Sequence, residues 1–475
     1  MTGPVVQTPH GLALRNHPGS IVEVLQEALA RWPDNVLLVD PALDRSVAYR
    51  EFAELVEGAA ARLTSGQRVA TMLRNGLEAA VAIWACARAG AVHIGIPVDS
   101  PHVRVRELLE LVGASQIYAH PDLYDGLPPS DLLADHRPWQ RGPLPAADDT
   151  YCLIATSGTT GRPKAVRVTG TMTGHAVAFY VGALGLLPED RTAIHLPFSW
   201  VSGHITQLAP VMASGGSAVT MATYTAPGLI EVAERHGVTW LDVVPSIWEG
   251  LLRCPDLERL RSVRLAVYGG APAPVGTLER VRQRLPGMAL HDVYALSETC
   301  APITHLADGE PLGTVGRPVS YAEVRLSVDG EIEVRSVVVT PGYWGTEQLR
   351  MTADGWLQTG DLGSFVDGRL RVEGRAVDLI LRGGVNVYPQ EVERALLGTG
   401  LLLDAAAYAV PSAVGGQAVA AAVVVKPGVM IDLAVLRKAV QHAVGTHAVP
   451  RPLRVVAELP RNANGKVDRR RLSVD

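Results

Sequence analysis

The stretch Thr156-Ser157-Gly158-Thr159-Thr160-Gly161-Arg162-Pro163-Lys164 constrains this chain more than any other. Small and hydroxylated residues in a row cannot build a core. They can turn backbone N–H groups and hydroxyls toward a phosphate, with a lysine just behind. The apolar run Tyr151-Cys152-Leu153-Ile154-Ala155 ahead of it reads as a buried strand. The loop is not a P-loop, because Pro163 precedes Lys164 and Ala165 follows it, and it lacks the dinucleotide fingerprint. A plain surface loop is the competing reading.

The rest of the chain supplies a frame for such a loop. Ser20 caps a helical pattern to about Trp32, and a second helix reads from Arg50 to Leu63. A strand at Arg68–Leu73, a helix at Leu77–Ala89 and a strand at Ala91–Ile96 follow. Strands recur at Ala193–Pro197, Ser217–Met221, Thr239–Pro245 and Val263–Tyr268, with helical patterns between, which argues for α/β layers with largely parallel sheets. From Leu326 to Arg371 short strands alternate with Asp-Gly turns at 329–330, 354–355 and 367–368, a small β subdomain. Beyond it a helix at Pro389–Leu397, strands at Ala405–Val410 and Ala418–Val425, a helix capped by Asp432 and a strand at Leu453–Leu459 read as a separate α+β unit. The expected division is residues 1–375 and 376–475, joined near Gly374-Arg375-Ala376-Val377-Asp378.

At 475 residues and 47% hydrophobic content there is material for large cores, and a net charge of −5 argues against nucleic acid as a partner. The apolar stretch Ala79–Val98 is broken by Arg88 and His93 and reads as core, not as a membrane span. Cys86, Cys152, Cys254 and Cys300 stand singly without metal-ligand spacing, as expected of free thiols in the cytoplasm. Only four lysines (Lys164, Lys426, Lys438, Lys466) occur against 39 arginines, so a lysine in a motif carries some weight.

Four further motifs bear chemistry. Gly269-Gly270-Ala271-Pro272 ends a strand, where glycines let a flat ligand approach the backbone; a tight turn is the alternative. Tyr294-Ala295-Leu296-Ser297-Glu298-Thr299 sets a hydroxyl beside a carboxylate, suited to phosphate and Mg²⁺, or else to capping a helix. Asp361, in Thr359-Gly360-Asp361, suits ribose hydroxyls or a plain turn. Asn464-Gly465-Lys466 puts a lysine just past a hairpin tip, where a solvated surface lysine is the ordinary case.

In this order the motifs resemble those of the adenylate-forming superfamily: acyl-CoA synthetases, adenylation domains of nonribosomal peptide synthetases, and luciferases. The resemblance runs from about Leu12 to Leu472. It implies a large nucleotide-holding α/β domain and a small mobile lid. It implies activation of a carboxylic acid by ATP and Mg²⁺ as acyl-AMP, then transfer to the thiol of CoA or of a phosphopantetheinyl acyl carrier protein. By resemblance, Thr156–Lys164 holds the β- and γ-phosphates. Gly269, Gly270, Ala271, Pro272 and Tyr294 lie against adenine; Ser297 touches the α-phosphate, and Glu298 holds Mg²⁺. Asp361 and Arg375 hold ribose, Lys466 is the catalytic lysine, and Gly383-Gly384 lines a tunnel for the thiol arm.

The acid pocket is expected to include Trp200, Val201, His204, Tyr268 and Cys300. The segment Phe198–His204 lacks the Asp with which α-amino-acid activators of the superfamily hold an ammonium, and bulky Trp200 suits an aryl or short acyl acid. Asp242 leaves a β-amino acid open. Departures from the superfamily pattern are Ala295 for a usual Gly, Ser297 for Thr, Val377 at the hinge, and a shorter N-terminal portion. Val377 motivates a rival in which the acyl group passes to an amine; a degenerate nucleotide-binding module is the non-enzymatic rival.

Overall fold

The computed structural model describes residues 5–8, 11–124, 131–157, 163–375, 378–382, 385–412, 417–461 and 467–474. Two sheets sandwich a layer of helices. The larger has nine strands in the order Arg317–Pro318, Thr304–Leu306, Ala289–Tyr294, Leu265–Gly269, Trp240–Val243, Arg191–Ile194, Ser217–Thr220, Val36–Asp40, Arg45–Ala48. Its central pairs are parallel and its margins antiparallel. The smaller has five strands, Gln116–Ala119, Arg68–Met72, Val92–Gly95, Thr150–Ser157 and Pro163–Thr169, parallel except for the last pair.

Strand periodicity assigns the two faces of each sheet to different cores. Val69 and Ile154 join the central cluster between the sheets, whereas Ala70 and Leu153 pack outward against the helix His102–Val112. Leu38, Ile194 and Trp240 reach the central cluster from the larger sheet. Leu241, Val243 and Ala266 point the other way, toward the helices Ala226–His236, Pro245–Leu252 and Val275–Arg284. The helix Leu77–Ala89 carries ten buried residues, as an element apolar on nearly all sides must when layered between sheets.

The expected caps and helices form. Ser20 Oγ accepts from the Glu23 N–H at 3.1 Å and starts Ile21–Arg31. Pro389–Leu397 and Leu77–Ala89 run over the residues read from the sequence. The β subdomain is a four-stranded antiparallel sheet, Ala322–Leu326, Glu331–Ser336, Leu357–Val366 and Arg369–Arg375. Gly330, Gly355 and Gly368 take positive φ in its turns (79, 83 and 73°). The C-terminal unit pairs Leu402–Pro411, Gln417–Val425 and Leu453–Val455 in a three-stranded sheet against the helices Pro389–Leu397 and Leu433–Ala443. The layered α/β domain, β subdomain and smaller α+β domain read from the sequence are therefore all present. Two details differ. Strand boundaries shift by one to a few residues in both directions: Thr239–Pro245 shortens to Trp240–Val243 and Leu453–Leu459 to Leu453–Val455, whereas Ala405–Val410 lengthens to Leu402–Pro411, because ladder pairing and not apolar character sets the ends. The helical segment after Phe198 begins as a π-helix, Ser202–Leu208, before continuing as Ala209–Ser214.

Candidate active site

The site is assembled at the carboxyl ends of the parallel strands, where open α/β sheets place their ligands. Thr156 and Ser157 pair with Lys164 and Pro163 across an antiparallel ladder, and five residues of the Ser/Thr/Gly loop separate them in sequence. Gly158, Thr159, Thr160 and Gly161 in that loop lie outside the described residues.

Lys164 is anchored twice. Its Nζ lies 2.6 Å from Glu347 Oε1 and 4.9 Å from the centroid of the Tyr343 ring. The Tyr343 hydroxyl donates to Glu298 Oε1 at 2.8 Å. Burial and the adjacent Glu298 push that phenol up, so it stays a donor. Thr340–Trp344 is laid along the strand Pro163–Thr169: Trp344 N donates to Ala165 O (2.7 Å), Arg167 N to Gly342 O (3.1 Å), and Thr340 Oγ1 to Arg167 O (2.6 Å). Thr340 N also donates to Glu298 O at 2.7 Å. One segment thus fixes both the loop lysine and the expected Mg²⁺ carboxylate.

A second cluster gathers residues far apart in sequence. Tyr294 OH donates to Asp361 Oδ2 at 2.6 Å, and Arg375 Nε lies 3.0 Å from Asp361 Oδ1. Asp361 is buried while Arg375 is half exposed. Burial, reinforced by Asp361, pushes the Tyr294 phenol far up. Beside them, a Cβ on Gly269 would sit 2.5 Å from Val293 O, and Gly270 holds φ +76°, so close packing and a left-handed turn both call for glycine. Ala271 and Pro272 follow in the same exposed turn.

Ser297 and Glu298 stand in a turn, not at a helix start, which removes the capping alternative. Thr299 Oγ1 accepts from Leu296 N at 3.1 Å and closes that turn. Ala295 is absent from the residues with positive φ, so the missing glycine costs no left-handed strain there.

The pocket residues divide. Trp200 and Val201 are half buried at the mouth of the π-helix, Trp200 packing with the outer cluster and Val201 with the central one. His204, on the π-helix, is fully covered, and neither ring nitrogen has a hydrogen-bond partner among the described residues. Burial lowers its pKa to about 4, only partly offset by the nearby Phe198 and Trp200 backbone, which stands close but outside hydrogen-bond geometry, so it is a neutral imidazole. Two expectations need correction. Tyr268 is not an open pocket wall but a core residue, 1% exposed on the sheet face packed by Leu241, Val243 and Trp248. Cys300 turns inward at φ 51°, its Sγ donating to Ser297 O at 3.1 Å, and is likewise covered. An apolar or aromatic residue after a strand satisfies a core as readily as a pocket, which sequence alone does not separate.

Lys466, Gly383, Gly384 and Val377 lie outside the described residues. An antiparallel bridge joins Arg461 to Val467, and Asp468 N donates to Pro460 O at 2.8 Å, on either side of the Lys466 segment.

The AMP-binding enzyme family model matches residues 25–344, and the AMP-binding enzyme C-terminal domain model matches residues 391–466. The chain belongs to the AMP-binding enzyme family. The motif resemblance is borne out over nearly its full length. This AMP-binding enzyme is 31% identical to the sulfoacetate–CoA ligase of Cupriavidus necator, over 93% of this chain and 95% of that one. Among solved structures it resembles o-succinylbenzoate CoA synthetase from Bacillus subtilis. In complex with its acyl-adenylate intermediate the match has a TM-score of 0.82 at 26% identity, covering 96% of this chain and 98% of that one. In complex with ATP and magnesium the TM-score is 0.83 at 26% identity, covering 94% and 98%.

Glu298 gives this AMP-binding enzyme one carboxylate whose chemistry fits Mg²⁺. Glu298 is a hard oxygen donor oriented by Tyr343 and by its own anchored carbonyl. Mg²⁺ characteristically takes one or two carboxylates and completes its shell with phosphates and water. Thr340, Tyr343 and Glu347 escaped the sequence reading. Their signal was the run Thr340-Pro341-Gly342-Tyr343-Trp344, an aromatic and Gly/Pro segment between strands, whose partner only the fold reveals.

Proposed function

We propose that this enzyme activates a carboxylic acid with ATP as acyl-AMP, releasing pyrophosphate, and transfers the acyl group to CoA. The observation that carries the reading is the convergence of Lys164, Glu298 and Tyr343 on one platform and of Tyr294, Asp361 and Arg375 on another. The first suits a triphosphate and its metal, the second a nucleoside.

In the first half-reaction a carboxylate oxygen bonds to the α-phosphorus and the bond to the pyrophosphate oxygen breaks. Like charges oppose this approach, so preorganised positive charge lowers the barrier. Lys164 exchanges Glu347 for the outer phosphates. Glu298 holds Mg²⁺, which when bound neutralises phosphate charge. Ser297 donates to the α-phosphate, and Asp361 accepts from ribose hydroxyls beside Arg375. Lys466 bridges carboxylate and α-phosphate. In the second half-reaction the thiolate sulfur bonds to the acyl carbon, AMP leaves, and the thiol proton passes to solvent. The domain boundary is taken at 375/376, so the tail carries Lys466 in and out of the site and Gly383-Gly384 admits the thiol arm. Four unpaired, buried cysteines favour a cytoplasmic location. Among the described residues no helix is long and apolar enough to cross a membrane.

Half-buried Trp200 and Val201 at the pocket mouth favour an aryl or short acyl acid. A second reading rests on Asp242, a buried carboxyl whose hydrogen-bond partner is the Thr206 hydroxyl: an amine-bearing acid would pair with it. An acid panel that includes β-amino acids, read by pyrophosphate release, separates the two. Lys466→Ala is expected to lower acid-dependent pyrophosphate release by about 10²–10³-fold. Undiminished release would remove Lys466 from the adenylation step.

A further inference from the structure

The segment 196–202 leaves the carboxyl end of the strand Arg191–Ile194 in the larger sheet and crosses to the smaller sheet. Residues 192–196 and 203–212 are buried, whereas 199–202 are only half-buried. A partly open window at strand carboxyl ends, leading into a π-helix, is where an open α/β sheet receives a ligand.

Asn75, in the loop after the smaller-sheet strand Arg68–Met72, fastens this window. Its Nδ2 donates to Leu196 O (2.9 Å) and Ile194 O (3.3 Å), and its Oδ1 accepts from Phe198 N at 2.9 Å. Only a carboxamide serves carbonyls on one side and an N–H on the other. Leu196 and Phe198 flank Pro197, and Trp200 N closes a turn on Pro197 O at 3.0 Å. The amide therefore sets where the turn carrying Trp200 leaves the larger sheet. The loop that presents Asn75 is itself tied on both sides. Arg74 Nη1 donates to Asp122 Oδ1 at 3.1 Å, and Leu77 N donates to buried Asp40 Oδ2 at 2.7 Å. Glycines bring the backbones together. A Cβ on Gly95, at the end of the strand Val92–Gly95, would stand 2.6 Å from Ser199 Cα, and one on Gly203 2.8 Å from Phe198 Cα.

The described hydrogen bonds of Asn75 go to residues 194–198 and to neither the Lys164 nor the Asp361 platform. We propose that Asn75 is a positioning residue for the acid. It holds Trp200 and Val201 at the place that presents the carboxylate to the nucleotide, and so governs acid selectivity without contributing to nucleotide binding. That the positioned ligand is a carboxylic acid rests on the proposed function; the clamp itself does not.

Two variants test it. Asn75→Ala removes all three hydrogen bonds. Asn75→Asp keeps the shape and the acceptor for Phe198 N but sets a carboxylate against two carbonyls. Backbone amide exchange of the full chain without ligands is expected to quicken about tenfold or more across 198–204 in Asn75→Ala, and to keep its wild-type rate in the helix Val275–Arg284. In both variants kcat/KM for the acid, read by pyrophosphate release, is expected to fall on the order of tenfold to a hundredfold. The Kd for ATP, measured without acid, should stay within about twofold of wild type. The preference for the best acid over its homologue one methylene longer, about 10–200-fold in a well-fixed pocket, should shrink. A general loss of stability would lower both rates together and leave that ratio alone. Wild-type exchange across 198–204, an unchanged kcat/KM in a folded variant, an unchanged preference, or an equal weakening of ATP would each overturn the proposal. If Asn75→Ala does not fold, the isosteric Asn75→Asp carries every measurement. If the wild type releases pyrophosphate with no acid, the proposed function fails, and exchange alone upholds or overturns the clamp.

Discussion

Asp242→Asn tests the buried polar chemistry behind the pocket. Asp242 lies in Trp240–Val243, 7% exposed, and its Oδ2 accepts from Thr206 Oγ1. Burial raises its carboxyl from 3.8 to about 7, with the Thr206 hydrogen bond pulling the other way. Below about pH 4 the group is protonated in both folded and unfolded chains and contributes nothing. From there to about pH 7 the unfolded chain gives up the proton while the folded one keeps it, so stability falls as pH rises. Above the folded value both are ionised, and the full loss stands at about 4 kcal/mol, at 1.36 kcal/mol per pH unit. Asparagine does not ionise, and its amide oxygen can still accept from Thr206. Its NH₂ adds a pH-independent cost of about 1–3 kcal/mol if unpaired. The unfolding free energy of the variant minus that of the wild type should therefore climb by about 4 kcal/mol between pH 4 and pH 8. Urea unfolding followed by tryptophan fluorescence across that range measures it. A difference that stays flat with pH would refute the reasoning, because an aspartate in a solvated or paired setting would leave no such slope.

Asp361→Ala strips Tyr294 and Arg375 of their common acceptor; we expect the KM for ATP to rise on the order of tenfold to a hundredfold, read by pyrophosphate release, and melting to fall with it. Tyr343→Phe keeps the aromatic face under Lys164 but frees Glu298, so more Mg²⁺ should be needed for half-maximal rate while Lys164 contacts persist; an unchanged Mg²⁺ titration would count against the positioning role. Gly374→Ala meets both a φ of +152° and a clash of the new Cβ with Gln390 Oε1, and should destabilise by about 1–3 kcal/mol. Pairing it with Gln390→Ala in a double-mutant cycle should recover the clash and not the backbone strain, so complete recovery would contradict the conformational argument.

Much of the site was legible before any fold was known. Motifs that use local backbone geometry announce themselves, because glycine, proline and hydroxyl residues at fixed spacing have few other uses. The Ser/Thr/Gly loop, the Gly269-Gly270 turn and the Asp-Gly turns belong to this class. Tyr268 and Cys300 were misread because an apolar face looks the same whether it closes a core or lines a pocket.

Local composition and periodicity settled the element types, the order of the nucleotide motifs and hence the family. They did so because a helix stripe, a strand alternation or a tight turn depends only on near neighbours. The tertiary structure alone decided which distant residues meet. It laid Thr340–Trp344 along the loop strand, brought Asp361 and Arg375 to Tyr294, and set Asn75 against Leu196 and Phe198. Such meetings follow from how sheets twist and layers stack, and no window of sequence contains them.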